Sequence, residues 1–121
     1  MSGKDTPGSL ATMNDPVPGI GVAELGTALR VGGILIDVRE PDEYEAGHVP
    51  GAVLVPLATV PEALDRFAAD ATTYVICKTG GRSFRACEFL DDQGLAVVNV
   101  AGGTLAWITS GRDTAVGDQP A

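Results

Sequence analysis

A strand that runs into a glycine-containing turn and then directly into a helix leaves few folds open, and residues 73–90 are written that way. Thr73-Tyr74-Val75-Ile76 is β-branched and aromatic, without Gly, Pro or acid, the composition of a buried parallel strand. Ser83, Ala86, Cys87 and Leu90 recur at i, i+3, i+4 and i+7, which is one face of a helix. Between the two lies Cys77-Lys78-Thr79-Gly80-Gly81-Arg82-Ser83. Gly80 and Gly81 allow this turn φ > 0 and let successive backbone N–H groups point inward. Those donors, the positive end of the helix dipole, Lys78 and Arg82 would together stabilise an anion at the Cys77 sulfur. Such surroundings bring a thiol from about pH 8.5 down to roughly 3.5–7.5, so Cys77 is expected to be a thiolate at neutral pH.

The rest of the chain alternates short apolar runs with helical patterns. A short strand is expected around Ile20, then a helix over Val22–Arg30 carried by Val22, Leu25 and Leu29 and ended by Gly32-Gly33. Ile34-Leu35-Ile36 reads as a buried strand leading into Asp37-Val38-Arg39. Pro41 and the acids Asp42 and Glu43 open a short helix that Gly47 stops, and His48-Val49-Pro50-Gly51 is a turn. Ala52–Val55 is a third strand, Val60–Ala69 a crossover helix with Pro61 in its first turn, and Ala96–Val100 a fifth strand. Gly102-Gly103 then opens a last helix with Leu105, Trp107 and Ile108. Strands alternating with helices imply an α/β fold, a parallel sheet with helices on both faces, whose sites lie beyond the carboxyl ends of the strands. Residues 1–19 are expected to be a disordered leader, 20–112 a single domain and 113–121 a flexible tail.

Composition removes several classes of function. The chain has 121 residues and a net charge of −8, which argues against a partner with a run of phosphates such as nucleic acid. No apolar run approaches the roughly 20 residues that cross a bilayer, so no membrane role is expected. Two cysteines with unlike neighbours do not suggest a disulfide framework, and a low-pKa thiol suits a reducing, cytoplasmic compartment. Cys87 lies on the apolar helix face and reads as a small core hydrophobe. His48, the one histidine, reads as a hydrogen-bonding turn residue, Trp107 as core, and the acids Glu40, Asp42, Glu43 and Glu45 as a solvated helix face.

Three separated segments resemble the single-domain rhodaneses, a family of sulfurtransferases, over residues 20–111. They are Leu35–Glu40 with Glu43-Tyr44 and Gly47–Ala52; the Cys77–Ser83 loop; and Gly102-Gly103 with Ala106-Trp107. The resemblance implies a five-stranded parallel sheet and a persulfide-forming cysteine, which is Cys77 here. The chain departs from the pattern at Ala101, where relatives often carry an acid, at Thr114, where a proline is common, and in a first helix without a good N-cap.

Rhodanese chemistry needs no cofactor and no metal. The thiolate takes the outer sulfur of a small anionic donor such as thiosulfate, releases sulfite, and passes the sulfur to cyanide or an acceptor thiol. The N–H groups from Lys78 through Thr79, Gly80, Gly81 and Arg82 to Ser83 would stabilise the persulfide as an oxyanion hole does, at about 2.7–4 kcal/mol for one such donor. Arg82 is expected to hold the donor's anionic group with its fork and Lys78 to add a point charge. Asp37 and Arg39 are expected to support the loop or to pair with Glu43. A cysteine-dependent phosphatase or arsenate reductase is the rival chemistry. Phosphatase loops of this kind hold five residues between cysteine and arginine, against the four that separate Cys77 from Arg82 here. A further reading is a non-turnover persulfide carrier or regulatory module docked to a sulfur-relay partner such as a sulfur-carrier protein.

Overall fold

Every short β-branched run expected as a strand is one, because each can bury both faces between helices. The chain is described over residues 17–121 by a computed structural model. Its strands are β1 (Gly19–Ile20), β2 (Ile34–Asp37), β3 (Val53–Leu54), β4 (Thr73–Ile76) and β5 (Val97–Val100). They form one sheet in the order β1-β5-β4-β2-β3, and every pair is parallel. β4 is central, with Ile34 opposite Thr73 and Asp37 opposite Ile76 on one side and Val75 opposite Asn99 on the other. The α-helices are α1 (Val22–Arg30), α2 (Pro41–Ala46), α3 (Gly81–Asp92) and α4 (Gly103–Thr109). Among the described residues no helix is long and apolar enough to cross a membrane.

Period-2 alternation along the strands divides the core in two. Ile36, Val75 and Val97 face Ala86, Cys87 and Leu90 of α3. Leu35, Ile76 and Val100 face Leu25 of α1, Tyr44 of α2 and Trp107 of α4. The α3 stripe expected from spacing, Ser83, Ala86, Cys87 and Leu90, is the set of α3 residues that is buried. Each large aliphatic side chain so buried contributes roughly 1.5–3 kcal/mol. α1 has Gly21 at its N-cap, which offers no side chain, and Glu24 reaches back to accept the Gly21 N–H at 2.8 Å. That bond recovers part of the cap.

Two expectations fail. The crossover segment is not an α-helix over Val60–Ala69 but two 3-10 pieces, Leu57–Glu62 and Leu64–Arg66. The helical turn begins at Leu57, so Pro61 falls inside it, where its missing N–H cannot join an α ladder. Bonds of i→i−3 type replace that ladder, Ala63 N–H to Val60 O at 3.0 Å and Phe67 N–H to Leu64 O at 3.1 Å. Val60 and Phe67 still reach the core.

The second failure is the flexible tail at 113–121. This segment is laid along α2 and the turn after it. His48 and Ala115 exchange both backbone bonds at 2.9 and 2.8 Å, Gly117 N–H donates to Glu45 O at 2.8 Å, and Gly51 N–H donates to Pro120 O at 2.9 Å. The imidazole of His48 has Nδ1 at 2.8 Å from Tyr44 O and Nε2 at 2.9 Å from Gln119 O, and its ring stacks on Tyr44 at 3.7 Å. Main-chain bonding holds the segment, so it carries no hydrophobic period to read. The expected leader lies outside the described residues up to residue 16. Its last three residues do pair or pack: Val17 lies against the core, Pro18 O accepts the Asn99 N–H at 2.9 Å, and Gly19 pairs with Asn99.

Candidate active site

Cys77 follows the last residue of β4, and the chain turns at Gly80 into α3. Gly80 is the N-cap at φ +111°, a region an L side chain enters only with strain. Gly81 opens the helix and has no positive φ, so only one of the two glycines performs the turn expected of both. The turn aims the Gly80 N–H at the Cys77 sulfur, 3.1 Å away, and brings the Ser83 hydroxyl to 3.3 Å. The residue itself is 1 % exposed. Burial pushes the thiol pKa up, but hydrogen bonds from the Ser83 hydroxyl and from the Ser83, Gly80 and Thr79 backbone outweigh it and leave the pKa below the ordinary value. For Cys87 the same burial has no such opposition; with Asp91 and Cys77 nearby, its thiol is pushed up to about 12. The two thiols of one core cluster are thus shifted in opposite directions.

Asn99 is a member of the site that the sequence reading missed. Ser83 Oγ lies 2.5 Å from Asn99 Oδ1, 3.2 Å from Gly80 O and 3.3 Å from Cys77 Sγ. A hydroxyl has one proton to donate, so these three acceptors compete for it. Asn99 Nδ2 donates in turn to Gly80 O at 3.3 Å, which ties β5 to the turn. The available signal was a polar residue inside Val97-Val98-Asn99-Val100, a run otherwise wholly apolar. Ser83→Ala is therefore expected to move the pH midpoint of Cys77 alkylation upward. Iodoacetamide rates across pH check this: wild type titrates below an ordinary thiol, and an unchanged midpoint in the variant would remove Ser83 from the account.

The back of the loop rests on α4. Cys77 O and Lys78 O accept the Thr104 and Leu105 N–H groups at 2.8 and 3.0 Å. Gly103, at φ +64°, passes so close that a Cβ there would lie 2.4 Å from Lys78 O and 2.6 Å from Cys77 O. Gly102-Gly103 thus serves the loop, since it lets the first N–H groups of α4 reach the carbonyls that follow β4.

The charged groups differ from expectation. Arg82 does not present an empty fork: Nη1 and Nη2 bind Glu43 Oε1 and Oε2 at 2.7 and 2.9 Å. Hydrogen bonding from Arg82 holds the Glu43 carboxyl at about 2, against the opposing effect of burial. Glu43 also accepts the Glu40 N–H at 3.0 Å, so it is oriented by its own helix and is not a bystander on a solvated face. Nothing local in the sequence joins two residues 39 positions apart. Asp37 and Arg39 pair with each other and not with Glu43. The guanidinium spans the carboxylate at 2.9–3.1 Å and donates to Gly47 O at 2.8 Å. Both are buried, and they fix the corner from β2 to α2. Among the described residues neither side chain hydrogen-bonds a loop residue, and their bonds to each other and to Gly47 act on the position of α2. Lys78 and Thr79 are exposed at the mouth, and among the described residues no carboxylate pairs with Lys78.

A parallel sheet in this order defines an α/β domain, and a cysteine loop lies at the carboxyl end of its central strand. The sequence profile described as "Rhodanese-like domain" matches residues 22–110, and the chain belongs to that family. It is similar to the "Putative sulfurtransferase YtwF" of Bacillus subtilis (strain 168), at 42% identity over 73 residues, which cover 60% of this chain and 71% of that protein. It is 34% identical over 79 residues to a protein named "Sulfurtransferase" of Allochromatium vinosum, covering 64% of this chain and 74% of that one. The crystal structure of a rhodanese-like domain protein from Staphylococcus aureus superimposes with a TM-score of 0.75 at 32% identity, covering 83% of this chain and 98% of that one. The five-stranded parallel sheet implied by the resemblance is the one found.

Proposed function

We propose that this chain is a sulfurtransferase that carries sulfane sulfur as a persulfide on Cys77. The observation that supports this most is the Cys77 sulfur held at 3.1 Å by the Gly80 N–H and at 3.3 Å by the Ser83 hydroxyl. Those donors favour the thiolate as attacking group and stay in place for the negative terminal sulfur that follows. With thiosulfate, Cys77 forms a bond to the outer sulfur as the bond to the sulfonate breaks, and the electron pair leaves with sulfite. Cyanide or a thiolate then attacks the terminal sulfur and returns Cys77 to the thiolate, with thiocyanate or a new persulfide as product. No imidazole base is needed for either step, in keeping with His48 being engaged by backbone carbonyls behind α2. Thr79, Gly80, Gly81 and Ser83 frame the sulfur, and Lys78 supplies positive charge at the mouth. The proposed partners are small sulfur donors and acceptors, and a sulfur-carrier protein in a relay, in a reducing cytoplasmic compartment.

Steady-state rates of thiocyanate formation at varied thiosulfate and cyanide test this. Parallel double-reciprocal lines are expected, as for a covalent intermediate that links two half-reactions. Intersecting lines, or hydrolysis of an aryl phosphate faster than sulfur transfer, would contradict it.

A further inference from the structure

The arginine best placed to receive an anionic donor is already occupied, and a cavity of different character opens beside it. Glu43 takes the end of the Arg82 fork in two bonds and stays ionised down to a pH of about 2. A dianion such as thiosulfate approaching Arg82 therefore meets a carboxylate over a neutralised guanidinium. Next to this pair lies a cavity of about 260 Å³ between α2 and α4, reaching from Glu43 and Arg39 to Lys78 and lined by Leu105 and Ile108. Leu105 and Ile108 are 47 % and 45 % exposed, a large apolar presence at the edge of an ionic site. Thr104 also lines the cavity, and its hydroxyl is buried without a hydrogen-bond partner among the described residues. A buried hydroxyl without a partner costs free energy unless something supplies the bond.

We propose that this cavity binds the organic body of a thiol-persulfide donor, and that Glu43, by occupying Arg82, selects against small dianionic donors. The inference rests on the sulfurtransferase reading and specifies its substrate class. The donor has the form RS–SH. Its carbon body lies along Leu105 and Ile108, a polar group on that body meets the Thr104 hydroxyl, and its outer sulfur reaches Cys77. The Cys77 sulfur bonds to that outer sulfur as the RS–S bond breaks. The electron pair leaves with the inner sulfur as RS⁻, the proton stays with the transferred sulfur, and no oxidant or reductant is consumed.

The test compares two donors, thiosulfate and the persulfide of 2-mercaptoethanol, by the second-order rate of loading Cys77 in wild type, Glu43→Gln and Thr104→Val. Glu43→Gln keeps the shape and removes the charge. It is expected to raise the thiosulfate rate by about tenfold, the effect of roughly 1.4 kcal/mol in the transition state, with little change for the organic persulfide. Glu43→Asp, which keeps the charge, should leave thiosulfate disfavoured. Thr104→Val should slow the organic persulfide severalfold and leave thiosulfate unchanged. Its fold should be preserved, since it replaces a hydroxyl without a partner by a methyl group of the same shape. Loading of both donors with the same ratio in all variants would overturn the inference and leave the sulfurtransferase reading standing. So would equal loss of both rates in Glu43→Gln, which would make Glu43 a structural pin. Failure of the organic persulfide alone to load Cys77 in wild type would overturn the inference only; failure of both donors would overturn the transferase reading, and the inference with it.

Discussion

Cys77→Ser should reduce sulfur transfer by roughly 10⁴-fold or more, the scale of removing a catalytic nucleophile, while Cys87→Ala leaves most of it. Both cysteines are buried within one core cluster, so the difference is electrostatic rather than positional. The Cys77 sulfur receives the Gly80 N–H and the Ser83 hydroxyl; Cys87 sits on the inner face of α3 with its thiol pushed up to about 12. Serine keeps the shape of Cys77 but is a far weaker nucleophile and carries no sulfane sulfur. Cys87→Ala trims a core side chain and should lower stability by about 1 kcal/mol, a typical core cost. Thiocyanate formation and urea melts on both variants check this. Loss of transfer in Cys87→Ala with its fold intact would bring that thiol into the chemistry and overturn the division of roles.

Gly103→Ala should be the most damaging substitution outside the loop, at roughly 2–5 kcal/mol from left-handed strain together with overpacking. The added carbon would lie 2.4 Å from Lys78 O, and the obstacle is backbone, which no side-chain rotation can move. Relief requires α4 to withdraw from the two carbonyls that its Thr104 and Leu105 N–H groups hold. Transfer should fall along with stability, because those carbonyls belong to Cys77 and Lys78. Gly81→Ala is the matched control. Its Cβ meets nothing within 4 Å, so the change should be neutral or up to about 1 kcal/mol stabilising, as for glycine replaced in a helix. Urea midpoints at unchanged m-value give both numbers. Similar effects at the two positions would refute the close approach of α4 to the loop.

These two substitutions also mark how far the sequence could be read. Val75, Ile76, Ala86, Cys87 and Leu90 carry local period-2 and period-3.6 signals, and the strand, the helix and the buried face followed from them. Cys77 stood out because glycine, charge and a strand end coincide within seven residues. What stayed hidden is non-local. Glu43 looks like any acid in a first helical turn until folding brings it to Arg82, and that pairing removes the open fork expected for the donor. Asn99 enters the site from β5, across the sheet edge of β4. Residues 113–121 are held by main-chain bonds, which leave no pattern in side chains. Pro61 was legible as a residue compatible with a first helical turn, but whether the turn begins before or after it depends on packing that Val60 and Phe67 share with the sheet.

The central claim is that Cys77 carries sulfane sulfur. Intact-mass and peptide mass spectrometry after incubation with a sulfane donor, with and without a cyanide chase, tests it most directly. The account predicts a gain of one sulfur atom, confined to the peptide containing Cys77, absent in Cys77→Ser, and removed by cyanide with stoichiometric release of thiocyanate. A gain on Cys87, a gain that cyanide fails to remove, or no gain from any donor would contradict it.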